Sequence, residues 1–539
     1  MESFRRILAG VFALCMLFGL NQCGRRGTPS GGPKDETPPV LIKAEPANET
    51  TNFTSRRIRL YFDEYIRLQD AQNQLIISPP PKYAPEVTPM GGIRKYVQID
   101  IKDTLMENTT YTYNFGQSIV DNNEGNPNNF LTYVFSTGDY LDTLTVEGVV
   151  ADAFKRSADP FISVMLYEID SAFTDSVIYK QPPYYITNTL DSAVTFQLKN
   201  LKAGTYRLIA LRDVGKNNVF DQGVDKIGFV AENVVVPSDS VYVLKLFQEV
   251  RDYGVLPPSF AASNRIIFGY SGEAPPVVSL LTPLPDSVRT LIAKEPQKDS
   301  LNLWITPYQA DSLIFTLRHP VNETRIDTFT VKPVKAVRDS MRHSWDPTSS
   351  LNFTDTVFLD ATLPLVKLDT TKFTLLNKDS IGMALSLRLD TTANRVQLDF
   401  DKEPNEVYTL EVLPGALEDF FGDTNDTLRT RFNTGSPADF GNLRFTVQGN
   451  SDYPLIVELL DNREEILRRK FLGGYEELQF RSLPPGNYRI RIIFDLNGNG
   501  RWDPGNYLQK IQPERVLYYP GTIEMRANWE KVETFTVSE

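Results

Sequence analysis

Cysteine and histidine are nearly missing: Cys15, Cys23, His319 and His343 are the only ones in 539 residues. Cys15 falls inside the apolar stretch Ile7 to Leu20, so a chain cut before Cys23 keeps a single thiol. Such a chain can form neither a disulfide nor a thiolate metal site, and its stability must come from buried apolar surface. Neither histidine has a second one at ligand spacing, which removes the usual zinc patterns. Nucleophile elbows and Gly-rich phosphate loops leading into a helix are absent too. The apolar stretch at the start falls short of the roughly 20 residues a membrane-spanning helix needs. Positive charge is in deficit: the net charge is −12 and Lys and Arg are scattered, which argues against nucleic acid as a partner. Paired carboxylates are plentiful, so composition alone leaves a carboxylate-pair chemistry open. With no other catalytic pattern, the expectation is that the chain is not an enzyme.

What is present begins with a short basic start, Arg5-Arg6, followed by the apolar stretch and Leu20-Asn21-Gln22-Cys23. Residues 1–22 read as a cleaved signal and residues 23–37, rich in Gly, Pro and Ser, as a flexible tether. The segment resembles a bacterial lipoprotein signal, in which the cysteine becomes the first residue of the mature chain and carries acyl groups. That resemblance implies lipid attachment at Cys23 and an outer-membrane location. The alternative is an ordinary signal cut nearby, with Cys23 incidental. Lys34-Asp35-Glu36 resembles a surface-export signal of Bacteroidetes lipoproteins, and triplets such as Asp103-Thr104-Leu105, Asp286-Ser287-Val288 and Asp426-Thr427-Leu428 resemble O-glycosylation sites of that group.

Beyond the tether the chain reads as all-β. Short alternating runs such as Arg57-Ile58-Arg59-Leu60-Tyr61-Phe62 are bounded by Pro, Gly, Asn and Asp, and no helical period is sustained. With 41% hydrophobic residues the length suits several β-sandwiches in series. Internal repetition orders them. Leu201-Lys202-Ala203-Gly204-Thr205-Tyr206-Arg207-Leu208 recurs as Leu483-Pro484-Pro485-Gly486-Asn487-Tyr488-Arg489-Ile490, and the spacing holds as far as Gly223, which matches Gly505. Upstream, Val97-Gln98-Ile99-Asp100-Ile101 matches Val396-Gln397-Leu398-Asp399-Phe400, and Phe135-Ser136-Thr137-Gly138 matches Phe432-Asn433-Thr434-Gly435. The pattern is that of a duplicated two-domain unit.

Residues 38–138 and 347–435 resemble the bacterial Ig-like domain of surface-layer proteins. They share its early Leu60-Tyr61-Phe62-Asp63-Glu64 strand (Val357-Phe358-Leu359-Asp360-Ala361 in the second copy) and its closing Phe-x-Thr-Gly. Residues 139–250 and 436–539 resemble transthyretin-like or carboxypeptidase-regulatory-like sandwiches, marked by Leu-x-x-Gly-x-Tyr and then an Asp-rich loop. Residues 251–346, with strand-like runs at Asn264–Phe268, Leu301–Ile305 and Asp327–Val331, are expected to form a further sandwich of no assigned type.

The Asp-rich loop of the second copy has calcium-loop spacing. Asp495, Asn497, Asn499 and Asp503 fall at relative positions 1, 3, 5 and 9, Gly500 stands at position 6, and Arg501 would lend its carbonyl at position 7. Asn506 stands where a bidentate Glu would complete such a loop. The first copy keeps Asp213, Asn217 and Asp221 but has Gly215 at position 3. Both stretches can equally be read as Asn/Gly-rich loops held by side chain to backbone hydrogen bonds. The functional expectation is a lipid-anchored scaffold on the outside of the outer membrane, bound to another envelope protein as an accessory subunit of an assembly or export machine. The competing expectation is a surface adhesin that binds glycans through aromatic pairs such as Tyr184-Tyr185 and Tyr518-Tyr519.

Overall fold

The computed structural model describes residues 35–537, apart from 130, 190–193, 273, 296–297, 309 and 450–452. The expected signal, Cys23 and most of the expected tether lie outside the described residues. Strands account for nearly all regular structure, and the one described α-helix is Ala71–Gln74. No helix among the described residues is long and apolar enough to cross a membrane.

The chain divides into two compact units at Thr143/Leu144. The first unit is a single sandwich. One sheet runs Leu41–Glu45, Arg57–Leu68, Arg94–Asp100, Glu86–Thr88, with Ile119–Asp121 also on the long second strand; the other runs Ile76–Ser78, Thr110–Asn114, Thr132–Ser136. The alternation read from the sequence holds here: Ile58, Leu60 and Phe62 are buried and meet Val97, Ile99, Tyr113 and Phe135 in the core. The chain is already tied to this sandwich upstream of the expected start at 38, since the Asn126 side-chain amide donates to the Asp35 carbonyl at 2.8 Å.

The second unit holds four sandwiches, and the duplication is explicit in their topology. Residues 144–249 pair Thr195–Leu201, Leu144–Asp152 and Val241–Leu246 in one sheet. The other sheet runs Tyr185–Asn188, Ser163–Glu168, Gly204–Arg212, Lys226–Phe229, with Val234–Val236 beside the third strand. The last domain repeats this order strand for strand: Glu477–Leu483, Gly441–Gln448, Glu530–Thr536, then Ile466–Leu472, Leu455–Leu460, Gly486–Phe494, Val516–Tyr518, with Ile523–Met525. In both copies the closing strand runs parallel to the opening one. Gly148 sits in the central strand of the smaller sheet because a Cβ there would lie 2.2 Å from the Tyr242 carbonyl oxygen and 2.5 Å from the Phe196 ring.

The sandwich at 343–435 likewise repeats the strand order of the first unit. Val357–Ala361 and Leu365–Leu368 together take the place of Arg57–Leu68, pairing with Arg395–Asp399 and Leu417–Asp419. Its first strand is His343–Asp346, which pairs with Val357–Ala361. Between it and residues 144–249 lies a further sandwich, with Arg265–Ser271 and Ser300–Ile305 in one sheet and Val277–Leu280, Leu313–Arg318 and Ile326–Val331 in the other.

Candidate functional site

The Asp-rich loops follow the strands that carry the Gly-x-Tyr mark. In the second copy Asp495 is almost fully buried; its Oδ1 accepts the Asn499 N–H at 3.0 Å and its Oδ2 the Gly500 N–H at 2.8 Å. Gly500 has φ +78°, the left-handed turn that position 6 requires. Asp503 accepts the side-chain amides of Asn497 and Asn499, and the Arg501 guanidinium at 3.2 Å. Glu514, which the sequence reading passed over, closes the loop by accepting the N–H groups of Leu496 and Asp503; burial and the nearby charge of Asp503 push its carboxyl up. The loop thus gathers the named residues, with Asp495, Asn497, Asn499 and Asp503 each accepting a hydrogen bond from within it.

The first loop is built alike. Asp213 Oδ2 accepts the Asn218 N–H at 2.7 Å and Asp221 accepts the Asn217 amide at 3.0 Å. Asp225, fully buried, accepts the N–H groups of Val214 and Asp221, and burial raises its pKa. Among the described residues no three acidic, His or Cys side chains are arranged to hold a metal ion.

The largest constellation that sequence reasoning missed begins where the repeats part, after Gly223 and Gly505. The first copy goes almost directly into Lys226–Phe229, whereas the second makes an excursion before Val516–Tyr518 that lies on the first copy. Tyr507 is fully buried there, its ring edge-on to Phe229 at 5.3 Å. Its N–H donates to Glu249 Oε1 at 2.5 Å and its hydroxyl to Asp175 at 3.2 Å. Lys510 pairs with the same Asp175 carboxylate at 2.5 Å, and the Gln512 amide donates to the Phe229 carbonyl. Burial works against a charged Asp175, but Lys510, Tyr507 and Arg207 more than offset it and hold its pKa down. Glu249 differs: burial dominates over its bonds from Tyr507 and Gln222, and its pKa is raised. Gly505 admits no side chain, since a Cβ would lie 2.4 Å from the Ile511 carbonyl oxygen and 2.7 Å from the Phe247 ring of the first copy.

A second contact between the copies centres on Phe154. Arg491 lies 3.9 Å above its ring, Trp502 packs at 4.7 Å, and the Tyr518 hydroxyl donates to its carbonyl. Behind Arg491 is Glu458, fully buried, paired at 2.6 Å with both Arg491 and Arg469. Leu455–Leu460 is consequently buried on both faces, with Leu455, Val457 and Leu459 in the domain core and Glu458 on the opposite face. The signal that could have exposed this surface is the point where the repeat spacing fails.

The two tyrosine pairs do not form an exposed platform. Tyr185 is buried in the core of its sandwich with Tyr184 packed against it, Tyr518 reaches Phe154, and Tyr519 packs on Phe445. His319 caps a turn, its Nδ1 accepting the N–H groups of Val321 and Asn322, and burial lowers the pKa of His343. Thr104, Ser287 and Thr427 of the Asp-Ser/Thr triplets are exposed.

Residues 35–137 match the family described as bacterial Ig-like domain (Big_5). No curated protein matches the chain. Among solved structures, the S-layer protein rSbsC(31-844) aligns over 85% of this chain at 11% identity and a TM-score of 0.15. The chain spans 64% of that protein's length. The Bacillus anthracis TIE protein aligns over 94% of this chain and 75% of its own, at 11% identity and 0.15, and BcpA, the major pilin subunit of Bacillus cereus, over 73% and 99%, at 9% and 0.14.

Proposed function

We propose that the chain is a lipid-anchored scaffold of a bacterial outer membrane, held through Cys23, facing the cell exterior and bound to another envelope protein as an accessory subunit of an assembly or export machine. The observation that supports this reading best is the junction between the two transthyretin-like copies. Tyr507, Glu249, Asp175 and Lys510 join segments more than 250 residues apart in sequence through buried hydrogen bonds and an ion pair. A junction of this kind holds domains in fixed relation, which suits a part that must present surfaces to a partner; the step from architecture to role is by analogy. The test is affinity purification from detergent-solubilised membranes after mild cross-linking. A reproducible envelope partner supports the scaffold; a chain that runs alone overturns it.

A further inference from the structure

The two transthyretin-like copies differ at one sheet edge. In each, an edge of the larger sheet is formed by the strand next after its neighbour in sequence, Tyr185–Asn188 in the first copy and Ile466–Leu472 in the second. The first copy reaches its edge strand through residues 169–184, which include the 3-10 turn Asp175–Tyr179, and the strand is short, with Tyr185, Ile186 and Thr187 buried. The second copy makes the same connection with residues 461–465 alone, a tight turn in which Asp461 accepts the N–H groups of Arg463 and Glu465. Its edge strand is seven residues long and exposed at every position but Arg468 and Leu472.

That strand pairs on one side only, with Leu455–Leu460. Among the described residues, the N–H and C=O groups on its other side have no backbone partner. Phe471 is 59% exposed, and Ile466 and Leu467 are exposed along the same strand. A long, apolar, uncovered edge is a template for a further strand, and proteins ordinarily shorten or cover it. The first copy does so; the second does not. Charge narrows what the added strand can be. Arg468, Arg469 and Lys470 are consecutive in a chain of net charge −12. Lys470 has no ion-pair partner among the described residues, and Glu458 is shared by Arg469 and Arg491, so one carboxylate faces two guanidinium groups. Only Arg468 has a carboxylate to itself, Asp355 of the preceding sandwich at 3.3 Å. A second copy of this edge is a poor occupant, because antiparallel pairing about Arg469 sets the three cations against themselves, and like charges directly opposite are destabilising.

We propose that this edge receives an extended acidic segment of the envelope partner as an added strand. By alternation Arg468 and Lys470 stand on one face of the strand, with Arg469 and Phe471 on the other, where Arg469 meets Glu458. The segment that fits alternates likewise, with carboxylates beside Lys470 and apolar side chains beside Phe471, while its main chain takes up the open N–H and C=O groups. Main-chain bonds supply the affinity and the carboxylates the selectivity. This rests on the scaffold reading for the existence of a partner, and not on the lipid at Cys23.

The test is titration of the full mature chain with a short soluble peptide alternating glutamate and valine, read by calorimetry and hydrogen exchange. Saturable binding with a Kd below about 1 mM is expected, with slowed exchange in residues 466–472 and none in the counterpart strand Tyr185–Asn188. The same peptide N-methylated throughout keeps its charge but cannot pair as a strand, so its binding should be lost, and a lysine–valine peptide should not bind. Leu467→Glu combined with Lys470→Glu, both at exposed positions, should weaken the acidic peptide about tenfold or more, an unchanged melting temperature showing that the variant is folded. No saturable binding, binding indifferent to N-methylation, or slowed exchange confined to another part of the chain overturns the proposal. Cross-linking in membranes separates it from the scaffold reading. If the parent chain recovers no envelope partner, the scaffold reading falls and this proposal with it; if the double variant recovers a partner undiminished, only the edge falls.

Discussion

Tyr507 and Glu249 carry the junction between the copies at the scale of single residues. Removing the Tyr507 side chain leaves a cavity beside Phe229 and releases Asp175, so Tyr507→Ala should destabilise the unit by about 3–5 kcal/mol in urea denaturation. Glu249 gives a pH signature. Its folded pKa is raised by burial above the unfolded value of about 4.3, so the folded state holds the proton more tightly. Its contribution to stability is therefore greatest below that value, falls as pH rises to the folded pKa, and stays lost above it. Glu249→Gln should remove this slope, making the variant gain on the parent between pH 4 and 8; denaturation at both pH values, with no relative gain, would refute the assignment. Glu458 is a buried carboxylate paired with two guanidinium groups. Glu458→Ala strands the buried Arg491 and should cost about 3–5 kcal/mol, whereas an apolar replacement of the whole group could be neutral. None of these roles was legible in the sequence, because a buried Glu and an exposed one look alike until the surface that covers them is known.

The elements were far more legible. Arg57–Leu68, Arg94–Asp100 and Thr110–Asn114 alternate because one face meets the core and the other solvent, and that period is written in residue type. Leu455–Leu460 shows no alternation, since both of its faces are buried, the second one under Arg469 and Arg491 at Glu458. The Asp-rich loops were found by spacing, but their use was not: the same Asp and Asn side chains can turn to a cation or to the loop's own N–H groups. In the second loop they turn inward, so millimolar calcium is expected to leave the melting temperature of the chain unchanged; a calcium-dependent rise accompanied by binding heat would restore the ligand reading. The excursion after Gly505 is an element visible only by comparing the copies. Gly505→Ala should push it off Phe247, which hydrogen exchange would report as faster opening of residues 506–512 while the strands of both sandwiches stay protected.

For the whole molecule, the anchor governs where any of this occurs. If Cys23 carries the lipid, Cys23→Ser should move the chain from the membrane to the soluble fraction on fractionation, with its folded domains intact; a variant that stays on the membrane refutes the anchor. By itself the sequence determined the all-β class and the repeated order of strands, because these rest on local period, turn chemistry and repeated words. His343–Asp346 joins its sheet only through its pairing with Val357–Ala361, which no local pattern shows. Only the tertiary structure decided which tyrosines are buried, which acids are joined across the copies, and that the edge at Ile466–Leu472 stands open. Those outcomes depend on surfaces brought together from distant parts of the chain, and no local pattern of residues encodes which surface will cover another.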